Sequence, residues 1–270
     1  MSTNTGTAGS TDSRLHGLVA IVTGGGSQPG EGVATGRAAA LVFARSGAKV
    51  LVVDRDLHAA DITVKEIVSE GGVAAAYEAD LTDSASAAAM AARAHELWGR
   101  IDILDNNIGA NGAGSVVEAA DDVWQRVIDL NIGTIVNASK AVIPFMAAEG
   151  SGAIVNLASV SATRPRGLTP YSMAKGAVIS LTRAMAIDHA PQGIRVNCIA
   201  PGPIYTPMVA GAGMNPALRE RRRTSTPLAI EGTGWDVAHA ALYLVSPQAR
   251  YITGVMIPVD GGGSIKSPQS

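Results

Sequence analysis

The sequence predicts an α/β fold: a doubly wound parallel sheet in three α/β/α layers, forming a single domain over 15–270. Three observations carry this. Short β-branched runs alternate with longer Ala-rich stretches, those runs carry no polar alternation, and a glycine-rich turn follows the first of them. The predicted strands are Leu18–Val22, Lys49–Val53, Val73–Tyr77, Ile101–Leu104, Ala153–Leu157, Ile194–Ile199 and Val255–Val259. The third is mostly alanine and takes its assignment from the alternation. The predicted helices are Gly32–Arg45, Leu57–Glu70, Ser84–Trp98, Asp121–Ala148, Tyr171–His189 and Trp235–Leu244. Strand, helix, strand repeated in this way implies a parallel sheet covered on both faces.

Composition narrows the function. Hydrophobic residues make up 47% of the 270-residue chain but aromatics only 4%, so Ala, Val, Ile and Leu must fill the core. A net charge of −2 leaves no footprint for a nucleic-acid partner. Cys198 is the only cysteine, which rules out an intrachain disulfide, and its apolar setting in Arg195–Ala200 suits a buried thiol better than a nucleophile. No apolar run reaches membrane-spanning length. The segment 1–14, rich in Ser, Thr and Gly, reads as a disordered tail and not as a signal peptide. A cytoplasmic location is expected, with no membrane partner.

The first chemical feature is Thr23-Gly-Gly-Gly-Ser-Gln-Pro-Gly-Glu-Gly32, after the first strand. Glycines there let backbone pass close to a phosphate, and the helix N-terminus that follows offers free N–H groups. The second strand ends in Asp54, a carboxylate placed to accept from both ribose hydroxyls of an adenosine and to repel a 2′-phosphate. Taken alone, Asp54 also reads as a helix N-cap, a reading that the glycine loop at the right distance makes less favourable.

Tyr171-Ser-Met-Ala-Lys175 carries the second feature. Residues four apart share a helix face, so phenol and ammonium can enter one pocket. A phenol titrates near about 10, and a fixed cation would lower that value enough to make a usable acid or base. Such pairs also occur on solvated helix faces, so the context has to decide.

From about Leu18 to Gly262 the chain resembles the short-chain dehydrogenase/reductase family, in the subgroup with one compact Rossmann domain. Beyond the glycine turn, Asp80-Leu81 resembles the Asp after the third strand, and Asn106-Asn-Ile-Gly109 the Asn-Asn-Ala-Gly signature. Pro201-Gly-Pro-Ile-Tyr-Thr206 resembles the segment that meets the nicotinamide, and Val259-Asp-Gly-Gly262 the family's ending. The resemblance implies a catalytic tetrad of Asn131, Ser159, Tyr171 and Lys175. Tyr171 would exchange the alcohol proton, Lys175 would lower its pKa and bond the nicotinamide ribose, Ser159 would donate to the substrate oxygen, and Asn131 would hold a relay water. It also implies a dinucleotide contacted by Gly24, Gly26, Gly30, Glu31 and Gly32 in the loop, by Asp54, Asp80 and Leu81 around the adenosine, and by Asn107 and Gly109. Tyr171, Lys175, Pro201, Gly202, Ile204 and Thr206 would surround the nicotinamide.

Some positions depart from the family pattern. Five residues separate Gly24 from Gly30, so either two are inserted or Gly26 stands in for the first glycine. Pro29 removes a donor, and Glu31 sets an acid beside the expected pyrophosphate. Ile108 replaces Ala, and Asp105 stands where an apolar residue is usual. Asp54, with no Lys or Arg in the glycine loop, favours NAD over NADP.

The variable substrate lid is expected over about 206–228. It contains Arg219-Glu-Arg-Arg-Arg223, read as a solvated helix face or as a grip on an anionic substrate helped by Arg164 and Arg166. Pro207, Met208, Val209 and Met214 suit an apolar pocket wall. The five histidines have no ligand spacing, so no metal is expected. The leading function is NAD-dependent interconversion of a secondary alcohol, cyclic or bulky, and its ketone. The alternatives are an NADPH-dependent 3-oxoacyl-thioester reductase and a non-catalytic dinucleotide-sensing module. The resemblance implies a homotetramer, with Gly263–Ser270 loose at the end.

Overall fold

The computed structural model describes residues 13–165 and 167–267. Most of the predicted tail over 1–14 and the predicted anion contact Arg166 lie outside them.

Seven parallel strands form the sheet, in the order β3-β2-β1-β4-β5-β6-β9. These are β1 (Val19–Thr23), β2 (Lys49–Asp54), β3 (Val73–Glu78), β4 (Ile103–Asn106), β5 (Gly152–Leu157), β6 (Ile194–Pro201) and β9 (Met256–Val259). Helices α1 (Thr35–Arg45), α2 (Leu57–Ser69) and α9 (Gly234–Val245) cover one face. The other carries α3 (Ser84–Trp98), α5 (Thr134–Ala148) and α6 (Thr169–His189). Small side chains make this packing close: Ala38, Ala39, Ala40 and Leu41 of α1 are buried against Ala238 and Ala241 of α9. The strand order reverses between β1 and β4, which opens a crevice at their C-terminal ends.

The long predicted helix 121–148 is divided. It runs as α4 (Asp121–Ile128), a π-turn over Asp129–Gly133, and α5, with Pro144 inside. The wider turn faces Asn131 inward, where it is fully buried. β4 also outruns its prediction. Asp105 and Asn106 look polar, yet their backbones pair with Val22 and Thr23 on one side and Val155 and Asn156 on the other. Beyond β6 come β7 (Ile204–Tyr205), α7 (Pro207–Gly211), α8 (Pro216–Thr224) and β8 (Gly232–Thr233), with β7 and β8 pairing in parallel.

The chain end is not loose over 263–267. Gly263 is buried and its carbonyl accepts from Arg164, while Lys266 Nζ donates to the Ser225 carbonyl at 3.2 Å. Among the described residues no helix is long and apolar enough to cross a membrane.

Candidate active site

The crevice is a cleft of about 580 Å³ built where β1, β4 and α1 meet. Thr23 ties its floor together, since its Oγ1 accepts from Asn107 N at 3.1 Å and donates to the Asp105 carbonyl at 3.3 Å. Helix α1 starts at Thr35, three residues later than predicted. Its N-cap, Ala34, makes no side-chain cap, and its first turn holds no acid. The first-turn N–H groups are therefore free to meet an anion. Gly24, Gln28, Thr35 and Gly36 line the cleft beside them.

Three of the residues expected to contact the phosphates pack on the far side of the loop. Gly30, Glu31 and Gly32 do not line the cleft, because the loop between β1 and α1 is long enough to swing outward onto β7 and α7. A Cβ on Gly30 would touch Pro207 at 3.5 Å, and one on Gly32 would lie 3.2 Å from the Tyr205 carbonyl. The carboxylate of Glu31 accepts from Tyr205 OH at 3.1 Å and from Arg219 Nη1 at 3.0 Å. That contact removes the conflict between an acid and a pyrophosphate. Gly26 also stands back from the cleft: its N–H donates to Asp54 Oδ2 at 3.0 Å, and a Cβ there would lie 2.6 Å from the same oxygen. Gly36 is the glycine that packs against Gly24, and the sequence reading missed it. The available signal was its position just before the alanine run of α1.

Asp54, Asp80 and Leu81 all line the far end of the cleft. Asp54 Oδ1 accepts from Asp56 N at 3.2 Å, so backbone donors orient both of its oxygens. Asp80 accepts from the Thr82 hydroxyl and N–H, which hold its carboxyl below the usual range. Asn137 of α5, another residue the sequence did not single out, donates to the Leu81 and Thr82 carbonyls at 2.9 and 3.1 Å. Asn107 and Gly109 line the cleft as well, and the side-chain N and O of Asn107 are buried without partners.

A smaller pocket of about 200 Å³ continues the cleft and shares Asn107, Gly109 and Thr206 with it. Ser159, Tyr171 and Lys175 line it together with Pro201, Gly202 and Ile204. A buried polar chain fixes α6 to the sheet here: Asn106 Nδ2 donates to Asn156 Oδ1 at 2.8 Å, and Asn156 Nδ2 to Thr182 Oγ1 at 3.0 Å. Lys175 is 4% exposed; its Nζ donates to the Leu157 carbonyl at 2.7 Å and lies 5.8 Å from the Tyr171 ring centroid. Burial pushes the ammonium down to about 8. Burial also raises the Tyr171 phenol, with the Ser159 hydroxyl opposing. In this pocket desolvation outweighs the Ser159 hydrogen bond at Tyr171, and the Lys175 ammonium is the cation nearest the ring.

Ser159 Oγ accepts from Ser161 N at 3.1 Å, capping the turn Val160–Ala162 while it still faces the pocket. Asn131 sits behind the pocket. Its Nδ2 donates to the Ala110 and Val127 carbonyls, each at 2.9 Å, and its Oδ1 is buried without a partner. A Cβ on Gly109 would come within 2.9 Å of that oxygen and 3.2 Å of Lys175 Nζ, so glycine is what leaves the two groups facing one space.

The arginines of α8 lie on a solvent-facing helix, as one of the two readings expected, and most of them are tied to neighbouring groups of the chain. Arg219 forks onto Glu231 through two bonds of 2.7 Å, Arg222 donates to the Ile204 carbonyl at 3.3 Å, and Arg223 bonds Glu220 and the Ala229 carbonyl. Glu220 and Arg221 are the exposed residues of the run. Arg164 is likewise engaged, with Gly263. Met208 and Val209 do line the smaller pocket, beside Tyr171 and Lys175. Beneath it all, Asp105 is fully buried and neither carboxylate oxygen meets hydrogen-bond geometry; burial raises it to about 7, and the nearby Asn107 amide, close but not aligned, only partly opposes this.

The family model described as enoyl-(acyl carrier protein) reductase matches residues 32–264. The chain is 40% identical over 255 residues to galactitol 2-dehydrogenase (L-tagatose-forming) of Cereibacter sphaeroides, covering 93% of this chain and 97% of that protein. It is 36% identical over 253 residues to the 2,5-dichloro-2,5-cyclohexadiene-1,4-diol dehydrogenase LinX of Sphingobium indicum, covering 93% and 98%. A solved short-chain dehydrogenase/reductase structure from Burkholderia xenovorans superposes with a TM-score of 0.89 at 40% identity, covering 95% of this chain and all of that one. A Rossmann sheet whose switch-point cleft runs into a Tyr–Lys pocket, matched over nearly its whole length by such relatives, places the chain in the short-chain dehydrogenase/reductase family, as an oxidoreductase of alcohol-dehydrogenase type using NAD or NADP.

Proposed function

We propose that the protein oxidises a secondary alcohol to its ketone with NAD⁺, Tyr171 acting as the general base and, in reverse, as the general acid. One observation carries this: Tyr171, Lys175 and Ser159 line a pocket that opens into the cleft bounded by the α1 N-terminus and Asp54. The residues fit a dinucleotide. The uncapped α1 N-terminus suits a pyrophosphate, Asp54 a ribose diol, and the unpartnered Asn107 amide a further polar group.

Bound, the nicotinamide supplies the acceptor for the hydride leaving the alcohol carbon. Tyr171 takes the hydroxyl proton as that hydride departs. Lys175, anchored on the Leu157 carbonyl, sets a positive charge near the phenol and favours its ionised form as the proton moves. The Ser159 hydroxyl donates to the substrate oxygen. Asn131 Oδ1 gives a relay water an acceptor on the side of Lys175 away from substrate. Segment 206–228 is the substrate lid, and Met208 and Val209 give it an apolar inner wall.

The relatives' substrates, a polyol and a chlorinated cyclic diol, support a polyhydroxylated or cyclic secondary alcohol. The carboxylate of Asp54 supports NAD as the cofactor. The basic lid had favoured the thioester reductase, but Arg219 and Arg223 are paired with Glu231 and Glu220, which weakens that support. The exposed apolar Met173 and Ile187 of α6 support a homotetramer, which light scattering checks; a monomer would overturn it. The lone buried Cys198 suits the cytoplasm.

The functional test is a panel of polyols, cyclic diols, simple secondary alcohols and an acetoacetyl thioester with NAD(H) and NADP(H), read at the reduced nicotinamide absorbance. NAD⁺-dependent turnover of an alcohol, lost in Tyr171→Phe, is expected. Tight NADH binding with no turnover on any member would favour the sensing module.

A further inference from the structure

We propose that Arg219 is a positioning residue that couples the long glycine loop to the lid, so that the nucleotide cleft and the substrate entrance become ordered together. This deepens the reading above and rests on it.

The guanidinium of Arg219 bridges three separate segments. It forks onto Glu231 beside β8 with two bonds of 2.7 Å, lies 3.8 Å over the Tyr205 ring of β7, and reaches Glu31 of the glycine loop at 3.0 Å. Tyr205 OH donates to the same Glu31 oxygen at 3.1 Å, closing the triangle. Tyr205 immediately precedes Thr206, which lines both the cleft and the catalytic pocket. The outward swing of Gly30–Gly32 brings Glu31 here, so the feature that spoils the phosphate-loop spacing is also what makes the connection.

Helix α8, which carries Arg219, has no buried residue of its own. No apolar stripe fixes it to the body, and in that setting the polar links decide its position. An isolated exposed ion pair is worth little, but a forked and stacked arginine shared by two carboxylates is the geometry in which such contacts count. Burial of Glu231 beside it strengthens the shared fork: its side chain is 27% exposed, against 74% for Glu31. The coupling is therefore sensitive to salt, which a purely apolar packing role would not be.

Amide hydrogen exchange on the full chain tests this, reading the loop 25–34 and the helix 217–224 separately. Each variant is read at the segment it does not touch. Without nucleotide, Glu31→Gln should speed exchange in 217–224, and Arg219→Met should speed it in 25–34, each by about two- to fivefold. Arg219→Lys, which keeps the charge but loses the fork and stack, should fall between. Salt of about 1 M should bring the parent protein toward the variants. If either substitution alters only its own segment, the coupling is overturned. With NAD⁺ added, both segments should slow in the parent protein but only the loop in Arg219→Met; equal slowing of 217–224 in that variant would also overturn it. Reciprocal coupling without nucleotide, but no response to NAD⁺ anywhere, would overturn the nucleotide reading and the transmission built on it, leaving the loop-to-lid contact itself established.

Discussion

Gly36 packs so tightly on Gly24 that a Cβ at position 36 would lie 2.2 Å from the Gly24 carbonyl oxygen. Asn107 Cβ stands 3.1 Å away on the other side, so no shift of a flexible side chain can relieve the clash. Helix α1 and the turn after β1 approach each other only through this pair of glycines. Gly36→Ala should push the α1 N-terminus out of the cleft and weaken nucleotide binding by about tenfold or more, as overpacking at ~1–3 kcal/mol implies. Calorimetric titration with NADH measures it. Unchanged affinity would mean that the α1 N-terminus does not hold the pyrophosphate.

The sheet was legible because buried parallel strands spell themselves as β-branched runs, and all seven begin and end within two residues of their predicted bounds. Order and spacing singled out Ser159, Tyr171 and Lys175, which line one pocket, and Asn131, which is buried behind it. Long-range contacts were not legible. Nothing around Glu31 announces Arg219, 188 positions later. The π-turn that turns Asn131 inward has only weak helix formers as a sign, Asp129, Asn131 and Gly133, and these fit a plain loop or helix end equally well. The charge run of α8 reads as a surface because its partners Glu31, Glu231 and the Ile204 carbonyl all come from other elements.

Asp54 should set the cofactor choice. Its oxygens are aimed by the Gly26 and Asp56 N–H groups, and a 2′-phosphate would meet the carboxylate directly. Asp54→Ala removes both the acceptor for a ribose hydroxyl and the repulsion. The ratio of kcat/KM for NAD to that for NADP should fall by about ten- to a hundredfold, the span of a charge-assisted hydrogen bond. A ratio that does not move would remove Asp54 from the cofactor site. Gly26→Ala should shift the same ratio less, since its new Cβ would displace Asp54 without removing its charge.

Asp105 should make the protein more stable in acid than in base. Its carboxyl is raised to about 7 in the fold, whereas an unfolded aspartate titrates near about 3.9. Below both values it is protonated in either state and costs nothing in charge. As pH rises from about 4 to about 7 the unfolded chain gives up its proton and the fold must keep it, so stability falls across that window and levels off above it. Asp105→Val removes an unpartnered carboxyl from between Val22 and Val155 and should flatten this slope. The midpoint at pH 8 should rise by several degrees, at about 2–4 °C per kcal/mol for a domain of this size. Thermal melts across pH decide it; parallel slopes in the two proteins would show that Asp105 is not the titrating group.

The Tyr171–Lys175 pair should titrate as one unit. Burial lowers the ammonium to about 8 and raises the phenol above its ordinary 10, so the first proton lost from the pair leaves near 8. A pair that has lost one proton is neutral overall and can keep its remaining proton on Lys175, leaving a phenolate, the form that takes the alcohol proton. The kcat/KM for alcohol oxidation should therefore climb through about pH 8, and that for ketone reduction should decline over the same range. Lys175→Met leaves the phenol alone in a desolvated pocket, and the rising limb should move above 10 with a rate at neutral pH lower by about 10²–10⁴-fold. Tyr171→Phe should lose the limb altogether while still binding NADH, because the phenol oxygen is the only group it removes. Steady-state pH profiles of the three proteins measure this directly. A rising limb near 8 that survives in Lys175→Met would assign the titration to another group and leave Lys175 only its anchoring bond to the Leu157 carbonyl.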